Sequence, residues 1–343
     1  MSAVPTGGDL SAAGLFSSSR PVASVKERLG IPGTDAPERS LAVRLMGGLD
    51  FEVLPGRGFD VGDTYLRGIP LSWFSPVADA RALPSLAGRS WLSRFTGGLI
   101  TTCGLSNIGP ATDTVGMHGD FSHLPAREVS YGTSVSPEVH SATLAATIDS
   151  VSLFGPSFRV RRVITASAHA DGTATLSVRD DVTNVGTESA ALSLLYHVNL
   201  GAPLIAPGSR VRVESQGVRA REPHPHVPDW SVLPQPADHT TESVFEHSAA
   251  LADEHGFAKA AIASPDGGLG IEVAWTAATL PRLYQWVFPT RGRWALGIEP
   301  SSAPLFGEDR TGPNAGAPIV PPGETREHEI RVTVRGETGS LGR

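Results

Sequence analysis

Only one cysteine, Cys103, stands among 343 residues, so no intramolecular disulfide can form, a usage that fits a reducing compartment. No run of Lys and Arg of useful length is present and the formal net charge is −7, so the concentrated basic surface that nucleic acid requires is missing. Four arginines, Arg210, Arg212, Arg219 and Arg221, come close together, but they alternate with apolar residues as the edge of a strand does. No apolar stretch reaches the length of a bilayer crossing. No basic segment followed by an apolar run opens the chain, so no signal peptide is expected and the cytoplasm is the expected address. Neither nucleic acid nor a membrane is expected as a partner, and a homo-oligomer is left open.

Long amphipathic helices are also missing, and what replaces them is punctuated alternation. With 38 Gly, 28 Pro and 40% hydrophobic residues, the composition is that of a mostly globular chain. Residues 1–40 are rich in Ser, Gly, Pro and Ala and read as a partly ordered arm, with a short helix expected around Val25 to Leu29. From residue 41 the period is two. Ile330, Val332 and Val334 alternate with Glu329, Arg331, Thr333 and Arg335, and the same holds around Leu176 and Val178, Val211 and Val213, and Ile271 and Val273. Turn signals such as Asp171-Gly172, Pro207-Gly208 and Pro322-Gly323 separate these runs. The expectation is one all-β domain over 41–335, a sandwich of antiparallel sheets, with a tail at 336–343.

Four segments carry residue types suited to chemistry. In Leu192 to Gly201, strand geometry sends Leu192, Leu194, Tyr196 and Val198 one way and Ser193, Leu195, His197 and Asn199 the other. A face bearing His197 and Asn199 can form a polar binding concavity; it also fits a histidine satisfied within a core. In Arg293 to Pro300, Glu299 shares a face with the small residues Ala295 and Gly297. A carboxylate in such a pocket is pushed up in pKa and can serve as a general base. Taken alone, the segment also fits a glutamate in solvent or paired with arginine. In Gly116 to Arg127, glycines beside His118 permit close approach to the backbone. His118 and His123 are five apart, which is not a zinc spacing, and no metal is expected. In Leu54 to Asp60, Arg57 and Asp60 are expected to pair structurally, and Trp73 further on is expected in the core.

Several motifs are missing or empty of chemistry. Gly97-Gly98 and Gly104 do not form a phosphate loop. Gly132 to Ser136 lacks the spacing of a nucleophile elbow. Pro223-His224-Pro225-His226 reads as a solvated loop, and Cys103 as a buried small hydrophobe.

In order along the chain, these segments resemble the aldose 1-epimerase, or galactose mutarotase-like, proteins. Arg179-Asp180-Asp181-Val182-Thr183-Asn184-Val185-Gly186, leading to Leu195-Tyr196-His197, is similar to the turn and strand that carry that family's acid histidine. Met117-His118-Gly119 is similar to its earlier L-H-G motif, and Leu296-Gly297-Ile298-Glu299-Pro300 to its C-terminal strand with the catalytic glutamate. Closer still is the branch known as DUF4432, through Leu54 to Asp60, Gly97 to Leu105, Tyr196 to Leu204 and Leu280 to Trp286. The resemblance covers roughly residues 41 to 335. It implies a galactose mutarotase-like supersandwich.

The resemblance also implies an activity: proton transfer at the anomeric carbon of a small carbohydrate, an isomerase reaction without an organic cofactor. Glu299 would take the proton of the anomeric hydroxyl, His197 would protonate the ring oxygen, and His118 would orient the sugar or share the acid role. Asn199, Glu242 and Trp286 would contact the sugar. Galactose mutarotases carry a G-R-x-x-N-R segment whose arginine holds the ring. Gly98 to Gly104 stands in its place without arginine, leaving Asn107 or Arg127 for that task. Three alternatives stay open. The pair could drive another isomerisation or an elimination. Arg282, Arg291 and Arg293 could select an acidic or phosphorylated sugar. Or the protein could bind carbohydrate without catalysis.

Overall fold

The computed structural model describes residues 13–30, 39–77, 90–113, 115–248, 250–310 and 314–336. Among the described residues there is no α-helix, and none of the helical turns is long and apolar enough to cross a membrane. The longer strands are β1 (Ala23–Leu29), β2 (Arg39–Leu45), β3 (Leu49–Leu54), β4 (Asp60–Leu66), β5 (Ile100–Leu105), β6 (Ala126–Val135), β7 (Val139–Val151), β8 (Ser157–His169) and β9 (Ala174–Asn184). They continue as β10 (Ser193–Leu200), β11 (Arg210–Val213), β12 (Gly217–Ala220), β13 (Ser243–Ser248), β14 (Phe257–Ala263), β15 (Leu269–Thr276), β16 (Arg282–Phe288), β17 (Ala295–Ser301) and β18 (Thr325–Gly336).

Two antiparallel sheets hold these strands. An eight-stranded sheet runs β11-β14-β15-β18-β9-β8-β7-β6. An eleven-stranded sheet runs β1-β2-β3-β4-β5-β10-β17-β16-β13-β12, with the two-residue strand Ile69–Pro70 paired to β4. Two pairs of the clustered arginines end up on edges: Arg210 and Arg212 on β11, Arg219 on β12 with Arg221 just beyond it.

Alternation explains the eight-stranded sheet. In β8, Phe158, Val160, Ile164 and Ala166 are buried while Arg159, Arg161 and His169 are exposed, so one face meets the core and the other meets water. Leu176 and Val178 of β9 and Ile330 and Val332 of β18 join them, packed against Phe51, Val53, Tyr196, Val198 and Ile298 of the larger sheet. The hairpin between β8 and β9 turns at Asp171-Gly172, where Gly172 takes φ of 85°, a conformation that only glycine adopts without strain.

The middle of the larger sheet behaves differently. Every residue of β10 and of β17 is buried, so both faces are covered. Inside lies the core between the sheets. Outside lies a second apolar layer that includes Trp73, Trp91, Phe95, Leu195, Tyr284 and Trp286. That outer layer is where chemistry can be housed.

A buried polar tie joins the two sheets beneath it. Arg162 of β8 donates to Asp180 at 2.8 and 2.6 Å, to Asp60 at 2.6 Å, to Thr102 at 2.9 Å and to the Gly58 carbonyl at 2.9 Å. Tyr196 adds its hydroxyl to Asp180 at 2.6 Å. The pairing expected between Arg57 and Asp60 is thereby corrected. Asp60 turns inward to Arg162 and to Thr102, while Arg57 reaches the Arg94 carbonyl at 3.4 Å.

The helix expected at Val25 to Leu29 is also corrected. The segment is β1, paired with β2 from Ala23 opposite Leu45 to Leu29 opposite Arg39. So short a piece is marginal as an isolated helix, whereas the open edge of β2 satisfies its backbone at once. Residues 1–12 and 31–38 of the expected arm, and 337–343 of the expected tail, lie outside the described residues.

Candidate active site

The pairing of β10 with β17 brings two distant residues together. Leu195 lies opposite Ser301, Val198 opposite Ile298 and Asn199 opposite Gly297, a register that sets His197 against Glu299 on the outer face. His197 Nε2 and Glu299 Oε1 are 3.2 Å apart, with the two residues 5% and 2% exposed. Gly297 makes the approach possible. A Cβ there would stand 2.8 Å from Glu299 Oε1 and 3.0 Å from both His197 Cε1 and Trp286 Cβ.

Burial governs the protons of this pair. It raises the Glu299 pKa well above the usual carboxylate value; the negative charge of Glu242 adds to the rise and Arg221 opposes it. It also pushes His197 down to about 3, helped by His118. Burial thus pushes both groups toward their neutral forms, in which the pair holds one proton between them. Three buried atoms here have no hydrogen-bond partner in good geometry: His197 Nδ1, Glu299 Oε1 and Asn199 Oδ1. Asn199 Nδ2 is engaged, donating to the His197 carbonyl at 2.9 Å.

His118 reaches the same face from a loop. Gly119 takes φ of 69°, and a Cβ there would meet the Gly104 carbonyl oxygen at 2.3 Å, so only glycine lets the loop lie against β5. His118 itself has φ of 58°. Its Nδ1 lies 2.6 Å from the Ile108 carbonyl, which can only accept, so Nδ1 carries the hydrogen and Nε2 is left to act. Burial lowers its pKa, against the Ile108 bond and the attraction of Glu242. An aromatic chain spans the two histidines. Trp91 lies 4.5 Å from His118 and stacks 4.5 Å from Phe95, whose ring is 5.2 Å from His197.

Trp286 forms the opposite wall, 5.3 Å from His197 and 5.6 Å from Trp73. Its Nε1 donates to Glu242 at 2.9 Å, and Arg221 takes the other oxygen of Glu242 at 3.0 Å. Trp73, expected as plain core, thus belongs to the wall over the pair.

Of the residues singled out from the sequence, His197, Glu299, His118, Asn199, Glu242 and Trp286 gather here. Arg127 does not: it lies on β6, the edge of the other sheet, with its guanidinium on Asp149 and Glu128. Asn107 is near but occupied. Its amide donates to the Gly109, Pro110 and Gly116 carbonyls and its oxygen accepts from Arg310, so it shapes the His118 loop. Arg282 is taken by Glu246 and Asp309, and Arg291 by Asp238. Sequence reasoning missed Trp91, Phe95 and Arg221. The four-residue spacing of Trp91 and Phe95 within a polar stretch was the available signal; Arg221 offered none. Among the described residues no group of three or more His, Cys, Asp or Glu is placed to hold a metal ion.

Comparison with known proteins agrees with this architecture. The family described as "Domain of unknown function (DUF4432)" matches residues 37–334. None of the curated proteins matches the chain. A candidate aldose 1-epimerase from Klebsiella pneumoniae subsp. pneumoniae MGH 78578 superposes with a TM-score of 0.81 at 19% identity, over 93% of this chain and 85% of that one. A galactose mutarotase-like protein from Clostridium acetobutylicum superposes with a TM-score of 0.59 at 13% identity, over 92% and 100% of the two chains. A candidate mutarotase from Salmonella typhimurium gives 0.59 at 12% identity, over 94% and 96%. At such identities the likeness shows the fold, a galactose mutarotase-like β-sandwich.

Proposed function

The chain belongs to the DUF4432 family, and from that premise and the geometry of its outer face we propose that it is an aldose 1-epimerase-like isomerase, moving protons at the anomeric centre of a small sugar. The observation that carries this reading is the 3.2 Å contact of His197 with Glu299 under an aromatic wall.

Mutarotation requires one group to accept the proton of the anomeric hydroxyl while another donates to the ring oxygen. Glu299 is the acceptor and His197 the donor. The ring C–O bond then breaks, the aldehyde carbon turns, and closure on the other face returns each proton. The net protonation of the pair is the same at the start and the end. A pair holding a single proton has the count that this cycle needs. Sugar hydroxyls that hydrogen-bond the carboxylate favour the form with the proton on His197. Phe95 and Trp286 offer apolar faces to the sugar ring, and Glu242, held by Trp286 and Arg221, offers acceptor oxygens to its hydroxyls. His118 Nε2 is available to orient the sugar or share the donor role.

The test is an NMR screen for anomeric exchange over neutral, acidic and phosphorylated aldoses. Activity should persist well into acid, because adding a second proton to the buried pair requires charging His197, whose pKa lies near 3 rather than the usual 6.5. It should fade only at pH values above the usual carboxylate range, because removing the one proton requires charging buried Glu299. An acid limb near pH 6.5, or no exchange with any aldose, would count against the assignment.

A further inference from the structure

A narrow cleft opens on the other side of Phe95. Arg57, Arg94, His123, Asp60 and Thr101 line it together with that phenylalanine. His123 is 4% exposed and neither of its ring nitrogens has a hydrogen-bond partner. Arg94 Nε is likewise buried without one. Leaving such groups unmet in the interior is costly, so their persistence at one spot asks for a ligand.

The charge of the cleft indicates its kind. Burial pushes His123 down to about 4, and the guanidinium groups of Arg57 and Arg94 add to that shift, so both cations stand close to the imidazole. Asp60, the carboxylate among the lining residues, is already bound by Arg162 and Thr102. The cleft therefore presents the unmet atoms of His123 and Arg94 beside guanidinium groups, a setting that suits an oxyanion. Its free volume is about 20 Å³. So tight a space favours the smaller anion, a planar carboxylate with two oxygens, over a tetrahedral phosphate with three terminal oxygens.

The cleft also lies close to the pair. Thr101 is the direct cross-strand neighbour of His197, and Phe95 touches the His197 ring. Adjacent strands are about 4.8 Å apart, so the cleft lies within about 10 Å of the catalytic pair, two strand spacings away. That is comparable with the length of a hexose from its anomeric carbon to the substituent at its far end. We propose that this cleft receives the carboxylate of an acidic sugar whose ring lies over His197 and Glu299. The inference rests on the reading of that pair as acting at an anomeric centre.

Binding to the full-length protein tests it without requiring turnover. The His123 imidazole resonance, assigned by its loss in His123→Asn, is followed while glucuronate, glucose or glucose 6-phosphate is added. Glucuronate should shift the resonance and raise its titration midpoint, because a bound carboxylate favours the imidazolium; glucose should do neither. Arg94→Gln, a change at a half-buried site that should leave the fold intact, should weaken glucuronate binding about ten- to a hundredfold and leave glucose binding unchanged. No binding of glucuronate, equal loss for both sugars in Arg94→Gln, or tighter binding of glucose 6-phosphate overturns the proposal. Glucuronate bound at His123 by a protein that exchanges no anomer would instead spare this site and sink the isomerase reading.

Discussion

Tyr196 and His197 are neighbours on β10, and they face opposite worlds. Inward, Tyr196 joins Arg162, Asp60, Asp180 and Thr102, where the guanidinium donors meet carboxylate, hydroxyl and carbonyl acceptors at 2.6 to 2.9 Å. Outward, His197 joins Glu299 and Asn199, where three buried polar atoms lack a hydrogen bond in good geometry. Both are ionisable clusters deep in the protein. Burial by itself opposes the charge on Arg162, but Asp180 and Asp60 outweigh it and hold its pKa above the usual arginine value. Burial of His197 is opposed by Asn199 and that of Glu299 by Arg221, but here burial prevails, and both are driven toward neutrality. A buried network satisfied throughout is a structural tie; one left partly open retains its capacity to exchange protons.

Substitution should separate the two sides cleanly. Glu299→Gln keeps the shape but removes the proton acceptor, so anomeric exchange should fall about 10²- to 10⁴-fold. His197→Asn should slow it too, and the double variant should be far less impaired than the product of the two, since the pair acts as one unit. Urea unfolding of Glu299→Gln should change little, because the carboxyl it replaces already favours its neutral form. Near-normal exchange by the folded variant would favour a binding protein instead.

The inner cluster should respond the opposite way. Arg162→Met leaves Asp60 and Asp180 buried without their cation, and urea unfolding should show a loss of about 3–5 kcal/mol. In whatever fraction remains folded, exchange per folded molecule should be retained. A stable Arg162→Met protein would mean that the tie is dispensable and the contrast between the faces is false.

Gly297→Ala probes the boundary between them. Its methyl group would press on Glu299 Oε1 and His197 Cε1 together, so stability should drop by about 1–3 kcal/mol and exchange should fall in the folded protein as well. Loss of stability alone, with exchange per folded molecule unchanged, would show that the 3.2 Å contact is not needed for turnover.

How legible each face was in the sequence follows from the same contrast. The eight-stranded sheet shows itself plainly in β8, β9 and β18 because one face is wet and hydropathy alternates. In β10 and β17 both faces are dry, so the alternation is one of polarity and size: His197 and Asn199 against leucines, Glu299 beside Gly297. That pattern drew attention to both strands but left a core histidine and a solvent glutamate open; the resemblance to the aldose 1-epimerase proteins singled out the pair. Val25 to Leu29 misled because Val-Lys-Glu-Arg-Leu places its apolar ends four apart, a spacing that also fits a helix, and the deciding partner is β2. Arg127 and Asn107 carried suitable chemistry, but their partners, Asp149 and the carbonyls of a loop, are set by folding rather than by local pattern. The wall of Trp91 and Phe95 and the guanidinium of Arg221 arrive from separate loops for the same reason.

Glu242→Gln should produce the smallest effect and the sharpest reading of the outer face. Gln keeps an oxygen to accept from Trp286 Nε1, so the wall should stand. What changes is the field on Glu299. Burial is the main reason that its pKa is raised, and the negative charge of Glu242 contributes next, while Arg221 pulls the other way. Removing the charge of Glu242 takes away a raising influence and leaves Arg221 unopposed, so both consequences act in the same direction. The Glu299 pKa should fall, and the base limb of the pH–rate profile for anomeric exchange should move to lower pH. His118 loses an attraction that favours its charged form, so its pKa should fall further. His197 has no direct share in this change, and the acid limb should stay where it was. A base limb that stays fixed while exchange slows at every pH would assign Glu242 to holding sugar hydroxyls alone. A limb that moves upward would mean that Glu299 is not the group whose ionisation ends activity.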